Sequence, residues 1–211
     1  MISKETAKER LIIFTRYPEP GKTKTRLIPA LGAQGAATLQ RQMTEHTISQ
    51  VKKLQSFRPL SVEVRFAGGN PTQMQAWLGP DIAYQLQDEG DLGSRMARSL
   101  SFAFQASMER VVIIGTDCPG LNAHLMGCAF DQLQAHDLVL GPAIDGGYYL
   151  IGLRCFICEL FSGINWGTAE VLQQTVDIAN QLDLSVAYLP PLADVDRPED
   201  LHVWESGGVR S

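Results

Sequence analysis

Apolar runs of strand length alternate with helical stripes along nearly the whole chain, and few folds besides an α/β domain with a largely parallel sheet accept that alternation. The run LIIFT at 11–15 reads as a buried first strand, and a helix follows over 35–54, where Leu39, Met43, Val51 and Leu54 sit at compatible spacings. Residues 61–67 alternate like a strand, 71–78 suit a short helix, and 82–86 suit another strand. Leu92, Met96, Leu100, Phe104 and Met108 recur every four residues, which predicts a long helix whose buried stripe is widened by Ala97 and Ala103. The β-branched run 111–115 ends in the breaker TDCPG and reads as a central strand. Beyond it the pattern predicts a helix over 122–135, strands over 138–141 and 148–153, a helix over 168–182 and a strand over 185–189. A polar tail over 194–205 follows, with Pro198 at a helix start. No linker, repeat or low-complexity tract interrupts the 211 residues, so one domain spanning 1–211 is expected.

Hydrophobic residues at 45% and charged residues at 19% argue against disorder and against a small disulfide scaffold. No apolar run approaches the roughly 20 residues that span a bilayer. Residues 1–10 lack the apolar stretch of a signal peptide, so a soluble cytoplasmic protein without a membrane partner is expected. A net charge of -5 disfavours nucleic acid as a partner. The charge is unevenly placed: residues 1–26 hold seven basic and three acidic side chains, a local +4 that leaves -9 for the rest. A cationic segment in an acidic protein points to an anion site. Cys155 and Cys158 form one C-x-x-C with no second pair near it, so all four cysteines are expected to be ordinary buried thiols rather than zinc ligands.

The cationic segment is the loop after the first strand, RYPEPGKTKTRL at 16–27. Arg16, Lys22, Lys24 and Arg26, with the permissive Gly21, follow a strand where α/β sheets place their ligands, and they suit a phosphate cradle. GKT at 21–23 imitates the end of a Walker A loop, but Arg16 stands where that pattern needs glycine, and Pro18 and Pro20 remove backbone donors. Pro29 also falls where a P-loop helix should already be established.

Further along, Asp117 in GTDCPGL at 115–121 emerges from an apolar strand and is placed either to hold a divalent metal or to cap the next helix, a role open also to Thr116 and Asn122. DGG at 145–147 reads as a hairpin turn, or as Asp145, Gly146 and Gly147 beside a substrate. Residues 88–95 around Asp91 suit a capping turn, WGT at 166–168 opens a helix, and 194–198 read as a polar turn. His46, His124, His136 and His202 make no i,i+4 pair; neither G-x-S-x-G nor a G-x-G-x-x-G after the first strand is present.

Taken together, FTRYPEPGKTKTRL at 14–27, GDLG at 90–93, GTDCPGL at 115–121, DGGYYL at 145–150 and WGT at 166–168 resemble a family of small bacterial glycosyltransferase-like proteins. That family includes proteins named arsenosugar biosynthesis glycosyltransferases and lies within the nucleotide-diphospho-sugar transferase superfamily. It is more distantly similar to 2-phospholactate guanylyltransferase and to molybdenum-cofactor guanylyl and cytidylyl transferases. The resemblance implies a glycosyltransferase-A-like fold: a three-layer α/β/α sandwich around a mostly parallel mixed sheet with one reversed strand.

It also implies that Arg16, Gly21, Lys22, Lys24, Thr25, Arg26 and Asp91 hold the nucleotide and its phosphates. Asp117 would take the metal and share catalysis with Asp145, while Gly146, Gly147 and Trp166 meet the substrate. Mg²⁺ or Mn²⁺ would assist, although the usual Asp-x-Asp is reduced here to Asp117 between Thr116 and Cys118. The expected activity is glycosyl transfer from a nucleotide-diphospho-sugar to a small acceptor. Nucleotidyl transfer from an NTP to a phosphorylated small molecule is the alternative enzyme, and a non-catalytic nucleotide-binding protein the alternative of another class.

Overall fold

The computed structural model describes residues 7–206. Its first strand, β1 (Glu9–Arg16), buries Leu11, Ile12 and Ile13 completely, because helices cover both faces of the sheet at its centre. In chain order there follow α1 (Ile28–Gln55), β2 (Ser61–Ala67), α2 (Pro71–Leu78), β3 (Ala83–Leu86), α3 (Leu92–Gln105) and β4 (Arg110–Ile114). The second half comprises α4 (Ala123–Gln132), β5 (Leu138–Pro142), β6 (Tyr148–Leu153), α5 (Val171–Gln181), β7 (Val186–Tyr188) and α6 (Leu201–Ser206).

The sheet runs β3-β2-β1-β4-β6-β5-β7. β6 is the reversed strand: it pairs antiparallel with both β4 and β5, while the other pairings are parallel. Alternation along the strands sorts the core into two layers. Leu11, Ile13, Val112 and Ile114 pack with Ile48, Val51 and Leu54 of α1, Met74 of α2, and Met126 and Phe130 of α4. Ile12, Val111, Ile113 and Ile151 face the other way, onto Met96 and Leu100 of α3 and Ala179 of α5. The result is the three-layer α/β/α sandwich, mostly parallel, with one reversed strand.

Strand order turns back between β1 and β4. The chain builds outward from β1 to β3 and then returns through α3 to place β4 on the other side of β1. At such a switch point the loops leaving adjacent strands diverge and open a crevice at the carboxyl ends. Because β6 is reversed, its start at Tyr148 lies at that same edge, where Leu150 pairs with Ile114.

Local chemistry moved several boundaries from their expected places. The first helix begins at Ile28 rather than 35, with Pro29 in its first turn, where no backbone donor is needed, and a break at Gly32 (φ 69°). Pro29 is therefore compatible with an established helix and does not bear on the P-loop question. The helix expected from 168 starts at Val171, since Gly167 (φ 82°) and a local turn at Thr168 hold the chain outside it. The helix expected to reach 135 stops at Gln132, although Asn122 caps it by accepting the Leu125 N–H at 3.0 Å. The stripe ending at Met108 outruns α3, which stops at Gln105. Short 3₁₀ turns at Thr25–Leu27 and Cys158–Phe161 carry no periodic signal, and a third at Pro198–Asp200 leads into α6. Of the four cysteines only Cys118 is fully buried; Cys155 and Cys158 are exposed on the loop after β6, against the expectation of buried thiols.

At the end of the strands opposite the crevice, Glu9 is held by two arginines. Its carboxylate accepts from Arg58 at 2.9 Å and from Arg110 at 2.8 Å, and Arg58 also reaches Asp131 at 2.7 Å. Burial pushes the Glu9 carboxyl up, but the hydrogen bonds from Arg58 and Arg110 outweigh it and hold it below the usual carboxylate range. A depressed acid supports the fold above its unfolded pKa and stops doing so as pH falls through the folded one. Glu9→Ala leaves the partly buried Arg110 guanidinium without this carboxylate and Arg58 with Asp131 alone, and should cost about 3 kcal/mol in urea unfolding at pH 7, with less loss in acid. An unchanged midpoint at pH 7 would show the cluster to be energetically idle.

Candidate active site

The loop after β1 is built to turn its cations toward the crevice. Pro18 and Pro20 stiffen it, Gly21 takes φ 79°, and the Arg16 guanidinium donates back to the Lys22 carbonyl at 2.8 Å. Lys22 pairs with Glu19 at 2.7 Å in the open. Lys24 behaves differently. Its backbone lies in the left-handed region (φ 47°), which costs a non-glycine residue roughly 1–3 kcal/mol, and its side chain is only 4% exposed. Its ammonium lies 2.8 Å from Asp117 Oδ1, donates to the Val195 carbonyl at 2.6 Å, and stands 4.0 Å from Asp196 Oδ1. The Val195 N–H in turn donates to the Asp117 carbonyl at 2.9 Å. Arg26 reaches Asp196 as well.

These segments border a cleft of about 750 Å³ at the carboxyl ends of β1 and β4. Its floor is a buried polar network in which Thr15 and Thr44 lie 2.9 Å apart and Gln40 donates to both. Thr23, on the loop, lines the cleft, and its buried hydroxyl has no hydrogen-bond partner. An orphaned buried hydroxyl is costly unless a ligand completes it.

One flank is apolar: Trp166, Leu92, Met96 and Tyr148, with Trp166 and Tyr148 edge to face at 6.4 Å. Gly93 is needed for that arrangement, since a Cβ there would come within 2.4 Å of the Trp166 indole nitrogen.

Asp117, Asp145, Asp194 and Asp196 line the cleft, and Asp145, Asp194 and Asp196 also border an adjoining cavity of about 340 Å³. Burial, and then the neighbouring carboxylates Asp145, Asp200 and Asp117, push the Asp194 carboxyl up. Asp145 Oδ1 accepts the Gly147 N–H at 2.9 Å, so the hairpin turn and the cleft use the same residue.

The donor set fits a resident Mg²⁺ or Mn²⁺ poorly. The aspartate in the expected position is already bound to the Lys24 ammonium, and a divalent ion on the same carboxylate would stand beside a like charge. Among the described residues, no group of three or more His, Cys, Asp or Glu side chains is arranged to hold a metal.

Of the residues singled out from the sequence, Arg16, Lys22, Lys24, Thr25, Arg26, Asp117, Asp145, Gly147 and Trp166 all border the cleft. Gly21, Asp91 and Gly146 are not in its wall. Asp91 caps α3, accepting the Ser94 N–H at 2.7 Å. Gly146 (φ 93°) is a packing glycine, since a Cβ there would meet the Ala169 carbonyl oxygen at 2.2 Å. Sequence reasoning missed Thr23, Asp194 and Asp196. The two aspartates had a signal in their spacing within 194–198, but it was indistinguishable from a polar turn.

Comparison with known proteins places the chain. A family model described as an uncharacterized protein conserved in bacteria (DUF2064) matches residues 50–168. The chain belongs to this family. A solved structure of a candidate nucleotide-diphospho-sugar transferase from Desulfovibrio desulfuricans G20 is 36% identical, with a TM-score of 0.89 over 97% of this chain and 89% of that one. The 4-diphosphocytidyl-2C-methyl-D-erythritol synthase of Anaerococcus prevotii DSM 20548 is 11% identical, with a TM-score of 0.63 over 97% of each chain. Glucosyl-3-phosphoglycerate synthase of Mycobacterium tuberculosis, solved with Mn²⁺, UDP and glucosyl-3-phosphoglycerate, is 14% identical, with a TM-score of 0.54 over 96% of this chain and 81% of that one. At those two identities the likeness is one of fold, and it makes the DUF2064 sandwich glycosyltransferase-A-like. No curated protein matches the chain. No helix among the described residues is long and apolar enough to cross a membrane.

Asp194 yields a pH prediction for this DUF2064 protein. An acid whose folded pKa is raised favours the fold at low pH, and that contribution is lost as pH rises through the folded value. Asp194→Asn should therefore raise the melting temperature at neutral pH, and the gain should vanish near about pH 3, below the usual carboxylate range. A variant less stable than the parent at pH 7 would contradict the crowding described here.

Proposed function

We propose that the protein is a transferase that binds a nucleotide-diphospho-sugar in the cleft and moves the glycosyl group to a small acceptor. The observation that carries this reading is the make-up of the cleft wall: the cations of the loop at the switch point, two of them paired to Asp117 and Asp196, border the same volume of about 750 Å³ as Asp145, Asp194 and an aromatic flank. A diphosphate leaving group gains negative charge as the glycosidic bond breaks, and preorganised cations are the largest single aid to such a departure. Lys22, Lys24 and Arg26 supply them, with Arg16 behind, and the orphaned Thr23 hydroxyl would donate to a phosphate oxygen. Asp145, in the wall of the same cleft, would accept the proton of the acceptor hydroxyl, and Asp194 would border the acceptor. Trp166 would pack against the sugar or the acceptor ring. No step in this reading runs through Mg²⁺ or Mn²⁺. The relative at 36% identity, a candidate nucleotide-diphospho-sugar transferase, supports the same donor class.

The test incubates the protein with UDP-, GDP-, CDP- and dTDP-sugars and, separately, with NTPs and phosphorylated small molecules. Release of a nucleoside diphosphate from one sugar class is expected, with water taking the glycosyl group in place of the acceptor. Pyrophosphate released from an NTP would replace this reading with nucleotidyl transfer, and no product from either set would leave a binding protein.

Arg26 is 62% exposed at its side chain, so Arg26→Ala should spare the fold while lowering turnover about 100-fold or more. Asp145→Asn should lower it by roughly 100- to 10,000-fold without a comparable change in donor affinity. Full activity in both variants would sink the assignment.

A further inference from the structure

We infer that the Lys24 ammonium is the resident cation of this site: it occupies the place on Asp117 where a divalent metal would otherwise bind, and it neutralises the carboxylate that a diphosphate would otherwise meet. The inference rests on the donor reading above and adds which cation serves it. Three observations carry it.

The ammonium is held by oxygen, as a hard cation is: Asp117 Oδ1 at 2.8 Å and the Val195 carbonyl at 2.6 Å, with Asp196 as a more distant counter-charge at 4.0 Å. These oxygens come from the strand-end loop after β4 and from the segment before α6, so the fold, not a local turn, assembles the shell. Next, the side chain is 4% exposed while Asp117 is 49% exposed, so the charge is sunk into the wall and its carboxylate partner fronts the cleft. An exposed lysine on a flexible stem would not be so fixed. Lastly, the backbone of Lys24 accepts a left-handed conformation (φ 47°) in the structure that delivers the ammonium there.

An ammonium has three N–H donors. Two of them are accounted for by Val195 and Asp117, while Asp196 lies beyond hydrogen-bond reach, so the ammonium is fixed in place and the Asp117 charge that fronts the cleft is neutralised. A site with a fixed positive charge in this position needs no second carboxylate, and Thr116-Asp117-Cys118 has none. Lys22 and Arg26 differ from Lys24 in lying mostly exposed, at 69% and 62%. They are suited to closing on a ligand and not to replacing an ion.

The experiment titrates Mn²⁺ alone into the parent protein and into Lys24→Met, following free Mn²⁺ by electron paramagnetic resonance, and then measures UDP, GDP, CDP and dTDP affinities in EDTA and in Mn²⁺. The parent should bind Mn²⁺ at least about tenfold more weakly than Lys24→Met, and the gain should disappear in the double variant Lys24→Met/Asp117→Asn. The parent's nucleoside-diphosphate affinity should differ less than about threefold between EDTA and Mn²⁺, whereas Lys24→Met should lose binding in EDTA and recover part of it in Mn²⁺. Tight Mn²⁺ binding by the parent, or a nucleotide affinity that depends on Mn²⁺ by more than about tenfold, overturns the inference even if Lys24→Met fails to fold. If no nucleotide binds the parent in either medium, the donor reading fails, and the Mn²⁺ titration alone still decides which cation Asp117 holds.

Discussion

One buried positive charge ties together three stretches of chain that are remote in sequence. The Lys24 ammonium joins the loop after β1 to Asp117 after β4 and to Val195 ahead of α6, and the Val195 N–H closes the ring on the Asp117 carbonyl. Taking an ammonium out of water costs several kcal/mol unless it is paired and hydrogen-bonded, so these partners are a condition of its burial. Val195 itself is buried against Leu27, Leu39 and Met43, where Leu201 and Trp204 also pack. The ionic tie and the small apolar cluster thus fasten the carboxyl-terminal segment over the same end of the sheet, and with it Asp194 and Asp196.

The position of that end follows from topology. Helices on both faces bury β1 and β4, and reversal of strand order between them leaves an opening that the diverging loops border, together with residues of α1 and α3. The reversed β6 then brings 143–149 to the opening from the far side, with Asp145 serving both the turn and the cleft wall. At the opposite end of the sheet the charged cluster of Glu9, Arg58, Arg110 and Asp131 is fully matched and lines neither described cavity. Charge at one end stabilises; at the other it is arranged around an open volume.

Much of the fold was legible in the sequence because the central strands are continuous apolar runs and α3 keeps a four-residue stripe. What escaped was decided by single residues: Gly32 hid the first turn of α1, and Gly167 with Thr168 delayed α5. Of the site, the cationic loop, Asp117 and Asp145 could be named because each follows a strand end, and Trp166 only because WGT at 166–168 belongs to the family resemblance. The roles of Lys24 and Asp194 could not, since pairing and crowding depend on contacts across 93 residues or more between Lys24 and Asp117, and across 49 between Asp145 and Asp194. The capping role of Asp91 was an open alternative in the sequence, and its hydrogen bond to Ser94 gives it that role without a place in the cleft wall.

Under the proposed function the crevice between β1 and β4 binds a nucleotide diphosphate, and thermal unfolding against a panel of NTPs and UDP-, GDP-, CDP- and dTDP-sugars reads that binding without any need for an acceptor. A ligand at 100 times its dissociation constant adds about 2.7 kcal/mol to the folded state, so one nucleotide class should raise the melting temperature clearly above the others. A panel in which no nucleotide moves the transition would contradict the account.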